Sequence, residues 1–239
     1  DRANIAGSYP VGGIAMGGAV AYSAINTDTR ALIDSGSQVI ANSGVDVSAV
    51  ANNGQGDRVA AETQANIGFG GLVGVGAAVA ISHIDSKVSA TSAGNVSGGN
   101  GAGNLTISAA DHSSAKAGNS NPSVVVGGIA VGAVVVKAER KSDVTAKIAD
   151  AAQAKNFAKV VLSALNDGSL AATGVMGAGG VGAAGIGVNA KAKDASSVAA
   201  LIGAGANIKA SDTMVSAISS PVAESEAKGI GFSGVETLG

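Results

Sequence analysis

Gly12-Gly13-Ile14-Ala15-Met16-Gly17-Gly18-Ala19-Val20-Ala21-Tyr22 is the stretch on which the fold turns. Ile14, Met16, Val20 and Tyr22 fall on one parity, and Gly13, Ala15, Gly17, Ala19 and Ala21 on the other. Large against small with a period of two describes a strand with two unlike faces. A helix would be destabilised by up to ~1 kcal/mol for each interior Gly. Gly inside a strand instead marks close approach of another backbone. The small face is therefore expected against another sheet or another copy of the chain.

The pattern returns along the whole chain. A Gly-rich strand is anchored at Val20, Val79, Val135 and Ile186. A short aliphatic strand follows, anchored at Thr29, Val88, Val144 and Val198. A Ser-Ala strand closes each unit, at Ser48-Ala49, Ser108-Ala109, Ser163-Ala164 and Ser216-Ala217. Three markers thus keep one drifting period. The units are 11–66, 67–123, 124–174 and 175–228, and 229–239 opens a fifth. The chain reads as a single repetitive region, an internal piece of a longer polypeptide or a processed subunit.

Repeats of this size indicate a solenoid or an array. The expected fold is all-β, a repetitive β-solenoid of the parallel β-helix type with stacked Gly/Ala faces. Coils of roughly 25 residues would give about two coils per repeat. Turns are expected at Asp34-Ser35-Gly36, Asn42-Ser43-Gly44, Asn166-Asp167-Gly168 and Gly203-Ala204-Gly205. Gly94 to Asn104 is expected as an outward loop that absorbs the drift in period. Asp150 to Lys159 departs from the strand pattern and reads as a loop variant with the composition of a short helix.

Composition narrows the function. Aromatic residues are 2% of the 239, with no Trp, so a thick aromatic core is excluded. Hydrophobic residues are 46% and charged residues 13%, the reverse of a disordered chain. The net charge of −2, without a basic stripe, leaves no electrostatic footprint for nucleic acid. The absence of Cys excludes a disulfide framework and thiolate metal sites. The apolar runs Ile67 to Ile81 and Gly174 to Val188 hold 15 residues each, short of the ~18 of a spanning helix.

Motifs with chemical meaning are few. Gly177-Ala178-Gly179-Gly180-Val181-Gly182 matches a dinucleotide fingerprint, but a strand-like run follows where a helix is required. Asp111-His112-Ser113 holds triad residue types, yet adjacent residues cannot supply triad geometry. His112 is expected in a solvated loop. His83 is expected at a strand end, with no second His and no acidic cluster nearby. Asn53, Gln55 and Asp57 alternate in a polar loop and offer oxygens to a hard cation such as Ca2+, but lack the carboxylates and terminal Glu of an EF-hand. The glycan acceptor patterns at Asn95 and Asn104 are read as incidental. No cofactor and no enzyme activity are expected.

Gly12 to Ala21, then Val198-Ala199-Ala200-Leu201-Ile202-Gly203 and Val45-Asp46-Val47-Ser48-Ala49, resemble the β-strand repeats of large bacterial surface exoproteins. These are the filamentous-haemagglutinin-like, leukotoxin-like and autotransporter adhesins. The resemblance covers nearly all of the chain and includes no catalytic motif. It implies a solenoid on, or shed from, a bacterial cell: an extracellular, structural and adhesive element. The implied partners are other copies, neighbouring repeats of a longer chain, or a host or neighbouring cell surface. Self-association through strand edges would draw on Gly13, Gly17, Gly18, Gly71, Gly74, Gly76, Gly128, Gly132, Gly180, Gly182, Gly185, Gly187, Gly229, Gly231 and Gly234. A rival reading is a membrane-active exotoxin fragment, because Gly71-Leu72-Val73-Gly74-Val75-Gly76 resembles glycine-zipper segments. The charges that bound such a run, Lys137, Glu139, Arg140 and Lys141, favour a stacked sheet.

Overall fold

The computed structural model describes residues 2–6, 11–52, 59–99, 101, 103–119 and 122–234. These residues form β-strands and turns, with no helix among them. In chain order the strands are β1 (Arg2–Ala6), β2 (Val11–Ile33), β3 (Gln38–Ala41), β4 (Gly44–Ala51), β5 (Val59–Asn66), β6 (Gly68–Ser92), β7 (Asn95–Gly98), β8 (Asn104–Asp111) and β9 (Ser114–Gly118). They continue as β10 (Ser123–Ile148), β11 (Gln153–Asn166), β12 (Ser169–Asp194), β13 (Ser197–Ile202), β14 (Asn207–Ser219) and β15 (Val222–Ser233).

Every strand pairing is parallel, and each strand lies beside its equivalent in the next repeat. Leu32 faces Thr91, and Lys147 faces both Thr91 and Leu201. Partners are separated by one full repeat, from Ser169 with Val222 (53 positions) to Gly44 with Asn104 (60 positions). The expected coil of roughly 25 residues is therefore wrong by a factor of two: one repeat contributes one layer. The reason is strand length. The Gly-rich and aliphatic segments, expected as two strands, fuse into single strands of 23, 25 and 26 residues in β2, β6 and β10. They divide only in the fourth repeat, between β12 and β13.

A nine-stranded sheet contains the long strands together with β1, β5, β9, β13 and β15, and a six-stranded sheet contains β3, β4, β7, β8, β11 and β14. Together they enclose two cores. The first lies between the Gly-rich halves of the long strands and the segment that runs through β5, β9 and the start of β12. It holds Ala15, Ala19, Ala65, Phe69, Val125, Leu170 and Met176. The second lies between the aliphatic halves of the long strands and the six-stranded sheet. It holds Val88, Ile107, Val144, Ile148, Phe157 and Leu162.

Two of the three sequence markers coincide with the register throughout. Thr29, Val88, Val144 and Val198 form one row, and the Ser-Ala pairs form another. In that second row Ala49, Ala109 and Ala164 point into the core while the Ser side chains face out, with the Ser108 hydroxyl donating to Ser48 at 3.0 Å. The third marker holds for Val20, Val79 and Val135, but the fourth partner is Asn189, three positions beyond Ile186. A register shift between Gly127 and Ile129 lies upstream in the same pairing.

The corners carry the remaining corrections. Asp34 to Ser37 forms the expected turn, closed by the Ser37 amide donating to the Asp34 carbonyl at 3.2 Å, with Gly36 at φ 82°. Asp150 to Lys159 is neither helix nor loop: a turn at Asp150-Ala151 leads into β11, and Asn156, at φ 58°, forms a bulge against β14. Gly94 to Asn104 is not a free outward loop either. It contains β7, and a Cβ on Gly94 would lie 2.6 Å from the Ser37 carbonyl. The stretch does take up length, but a second change follows the Ser-Ala strand. There the offset falls from 60 at Ala51 and Asp111 to 55 at Val59 and Ser114.

Candidate assembly surfaces and the buried polar seam

The glycines expected to mediate packing divide into three sets. Gly17, Gly74, Gly76 and Gly132 face the first core and make room for large side chains from the opposite wall. A Cβ on Gly17 or Gly76 would stand 2.5 or 2.7 Å from the Phe69 ring, and one on Gly74 would stand 2.8 Å from Val125. On Gly132 it would fall on the Met176 methyl. Gly229 and Gly231 do the same against Ile186, at 3.1 and 3.4 Å. Gly71 pairs with Gly12 and Gly127, and Gly128, Gly180 and Gly182 crowd neighbouring backbone at the bulge. Gly13, Gly18, Gly185 and Gly187 meet no core side chain, and Gly234 only grazes Val181 at 3.9 Å.

Among the described residues, β1, β2, β3 and β4 form one edge of the layered strands, and the later part of β12 with β13, β14 and β15 forms the other. Each edge exposes large apolar side chains, Leu32 and Ile40 on the first, Met214, Val215, Ile230 and Phe232 on the second. Edges of this kind present unpaired backbone donors and acceptors.

Between the two cores runs a seam of buried polar groups. Arg140 is fully buried. Its Nη1 donates to the Ser113 carbonyl at 2.7 Å and its Nη2 to Asp194 Oδ2 at 2.5 Å. The buried Asp111 carboxylate accepts from the Ser113 amide at 2.9 Å and from the Ser142 hydroxyl. Gly168 closes the seam, since a Cβ there would fall on the Arg140 guanidinium. Burial of a charge requires such pairing.

The triad residue types are thereby dispersed. Asp111 faces inward to Ser142, while the half-buried His112 pairs through Nδ1 with Asp167 of the next repeat. His83 stands in the middle of β6, not at a strand end, with Glu139 of the next repeat 3.9 Å away. Sequence inspection missed both acidic partners because the register brings them from 55 and 56 positions away (167 − 112 and 139 − 83). The hydrogen bond from Lys137 Nζ, at 2.8 Å, holds the Glu139 carboxyl below the usual glutamate range, with the charges of Lys137, His83 and Lys193 adding to it. Gly177 to Gly182 lies within β12, so no helix N-terminus is present for a dinucleotide. Asn53, Gln55 and Asp57 lie outside the described residues. Among the described residues no cluster of three or more His, Asp or Glu is placed to hold a metal ion.

Comparison with protein-family models, curated proteins and solved structures gave no match.

Proposed function

We propose that this chain is a stretch of parallel β-solenoid, one turn per repeat, that serves as a structural and adhesive part of a bacterial extracellular fibre. Its resemblance to exoprotein repeats motivates the reading. The observation that carries it is the register: each repeat pairs with the next through nearly its whole length, and two of three markers stay aligned through all four. Such a stack extends by adding equivalent layers, since the last offers the same edge as the one before it. In this reading the Gly229–Gly234 strand of one copy stacks near the Val11–Ala21 strand of the next, end to end.

The stack has an unusual aspect ratio. Four layers at ~4.8 Å make a slab roughly 20 Å thick, while β6, which folds back near Gly71 to bring Phe69 against Gly76, reaches roughly 60 Å from Gly74 to Ser92 at ~3.3 Å per residue. Elongation along the stacking axis therefore comes only with added layers. Electron microscopy and sedimentation of the purified chain test this. Filaments with an axial step of roughly 20 Å per copy, abolished by Ile230→Lys with Phe232→Lys, are expected. A chain that stays monomeric at high concentration would sink the end-to-end reading. Leakage of liposomes would favour the rival, a membrane-active exotoxin fragment.

A further inference from the structure

The outward side of the Gly-rich half of the long strands is an apolar face. Register lines its residues up in rows that cross the strands. Met16, Val75 and Val131 form one row, and Val20, Val79 and Val135 form another. Between them runs a row of Gly18, Ala77, Ala133 and Gly187. Ile14, Val73 and Ile129 extend the face on the far side of the Met16 row. Val131 is 46% exposed although β10 has neighbours on both sides, so its exposure is not an edge effect. Parallel sheets are ordinarily covered on both faces. Here the inner face has its core, and among the described residues nothing covers the outer face.

The face has relief. The small row is the floor of a groove of about 500 Å³, lined by Met16, Val75, Ala77, Val131 and Ala133 among others. The Met16-Val75-Val131 row walls it on one side, and register places the Val20-Val79-Val135 row beyond the small row on the other. The three strands that carry these rows, at ~4.8 Å spacing and over ten residues at ~3.3 Å, cover roughly 480 Å², and the two large rows end on β12 at Gly185 and Asn189. That lies in the upper half of the ~300–600 Å² found for the largest apolar patch of a monomer, and two such faces together come close to the ~1,000 Å² that marks a specific interface. Further along the same strands the face turns charged with both signs, through Lys137, Glu139, Lys141, Asp85, Lys87 and Asp143. A surface that sits on an acidic bilayer carries a basic border instead.

We propose that this face is a lateral interface that takes the same face of a second copy. A two-fold arrangement seats the Met16-Val75-Val131 ridge of each copy in the Gly18-Ala77-Ala133 groove of the other, the self-complementary pattern that an isologous contact requires. Sheets so packed lie ~10 Å apart with interdigitated side chains. The contact is sideways and uses no strand edge, so it stands or falls separately from end-to-end stacking.

The chain has no Cys, so single-cysteine variants report the contact cleanly. Ala133→Cys lies in the groove, and Thr145→Cys lies on the charged half of the same strand. With a bis-maleimide of ~15 Å reach, the full chain with Ala133→Cys is expected to form a covalent dimer at least ~10-fold faster than with Thr145→Cys, because the facing sheets lie ~10 Å apart. Val131→Lys, whose side chain points to solvent, is expected to abolish that dimer in sedimentation while leaving the far-ultraviolet spectrum unchanged. Equal cross-linking of the two cysteine variants would overturn the proposal. So would a Val131→Lys dimer of unchanged strength, or a monomer that instead floats with phosphatidylcholine vesicles. Filament formation is scored in the same samples, so loss of one contact with retention of the other separates the two readings.

Discussion

Around Val88, Val144 and Val198 the second core repeats itself layer by layer, whereas in the first core Gly17, Gly76 and Gly132 share one row but the wall facing them changes from Phe69 to Val125 to Ala178. In the second core Ala90 lies between Ala31 and Ala146, and Ile107 lies between Val47 and Leu162. Like stacks on like, and each layer is held by its neighbours above and below. In the first core a small residue on one wall answers a large one on the other: Gly17 and Gly76 receive Phe69, and Gly132 receives Met176. The two share one long strand yet fill space by different rules. Stacking of like residues needs only a period, and compensation across a core needs a particular partner.

The seam that joins the cores gives the largest expected effect. Asp194→Ala leaves the buried Arg140 guanidinium short of its carboxylate, and removal of one partner of a buried pair costs about 3–5 kcal/mol. Arg140 occupies the position of Ile84 in the preceding repeat. Adding Arg140→Ile to Asp194→Ala should therefore recover most of the loss in a denaturant melt. No recovery would mean that the seam is not an independent unit between the cores.

Leu162→Ala tests stacking of like residues. Leu162 is fully buried between the equivalent positions of two layers, and a truncation there costs about 2–5 kcal/mol. Urea titration should give a lower midpoint with one transition. Two transitions would mean that the layers melt separately.

Compensation across the first core is tested by Gly76→Val or Gly132→Val, each expected to cost about 1–3 kcal/mol by overpacking. Gly17→Val follows the same rule against Phe69. Gly132→Val combined with Met176→Ala should restore a large part of the loss, with a coupling of about 0.5–3 kcal/mol in a double-mutant cycle. Additivity of the two changes would remove Met176 as the partner that Gly132 accommodates.

The smallest effect belongs to the surface. Glu139→Gln breaks a half-exposed pair with Lys137 and should cost less than about 1 kcal/mol. Because the folded carboxyl is depressed, its contribution is present above the ordinary glutamate range and is lost as pH falls through the folded value. Melting curves of parent and variant should differ at neutral pH and converge on acidification. A difference that grows in acid would reverse the sign of the argument.

Much of the second core was legible in the sequence and little of the seam was. The Ser-Ala and aliphatic markers recur because Ala49, Ala109 and Ala164 are buried at one position of successive layers, as Val88 and Val144 are at another. A periodic environment prints a periodic sequence. The strand segment through β5 and β9 leaves no marker in the sequence because Val59 to Asn66 and Ser114 to Gly118 share little beyond Ala at Ala61 and Ala115. The Gly parity announced a close approach without saying to what, and Phe69 and Met176 were the answer.

The sequence by itself determined that the chain is all-β, that its strands alternate large and small faces, and that equivalent residues recur every 53 to 60 positions in the Thr29 and Ser48 rows and their neighbours. These are local or periodic properties, and alternation and repetition express them directly. Only the tertiary structure decided that a repeat makes one layer instead of two, that the small parity lines the core while Val75 and Val131 face out, and that His112 meets Asp167 and Arg140 meets Asp194. Those outcomes depend on which strands lie side by side. Register joins residues dozens of positions apart, and a contact between unlike partners leaves no period along the chain.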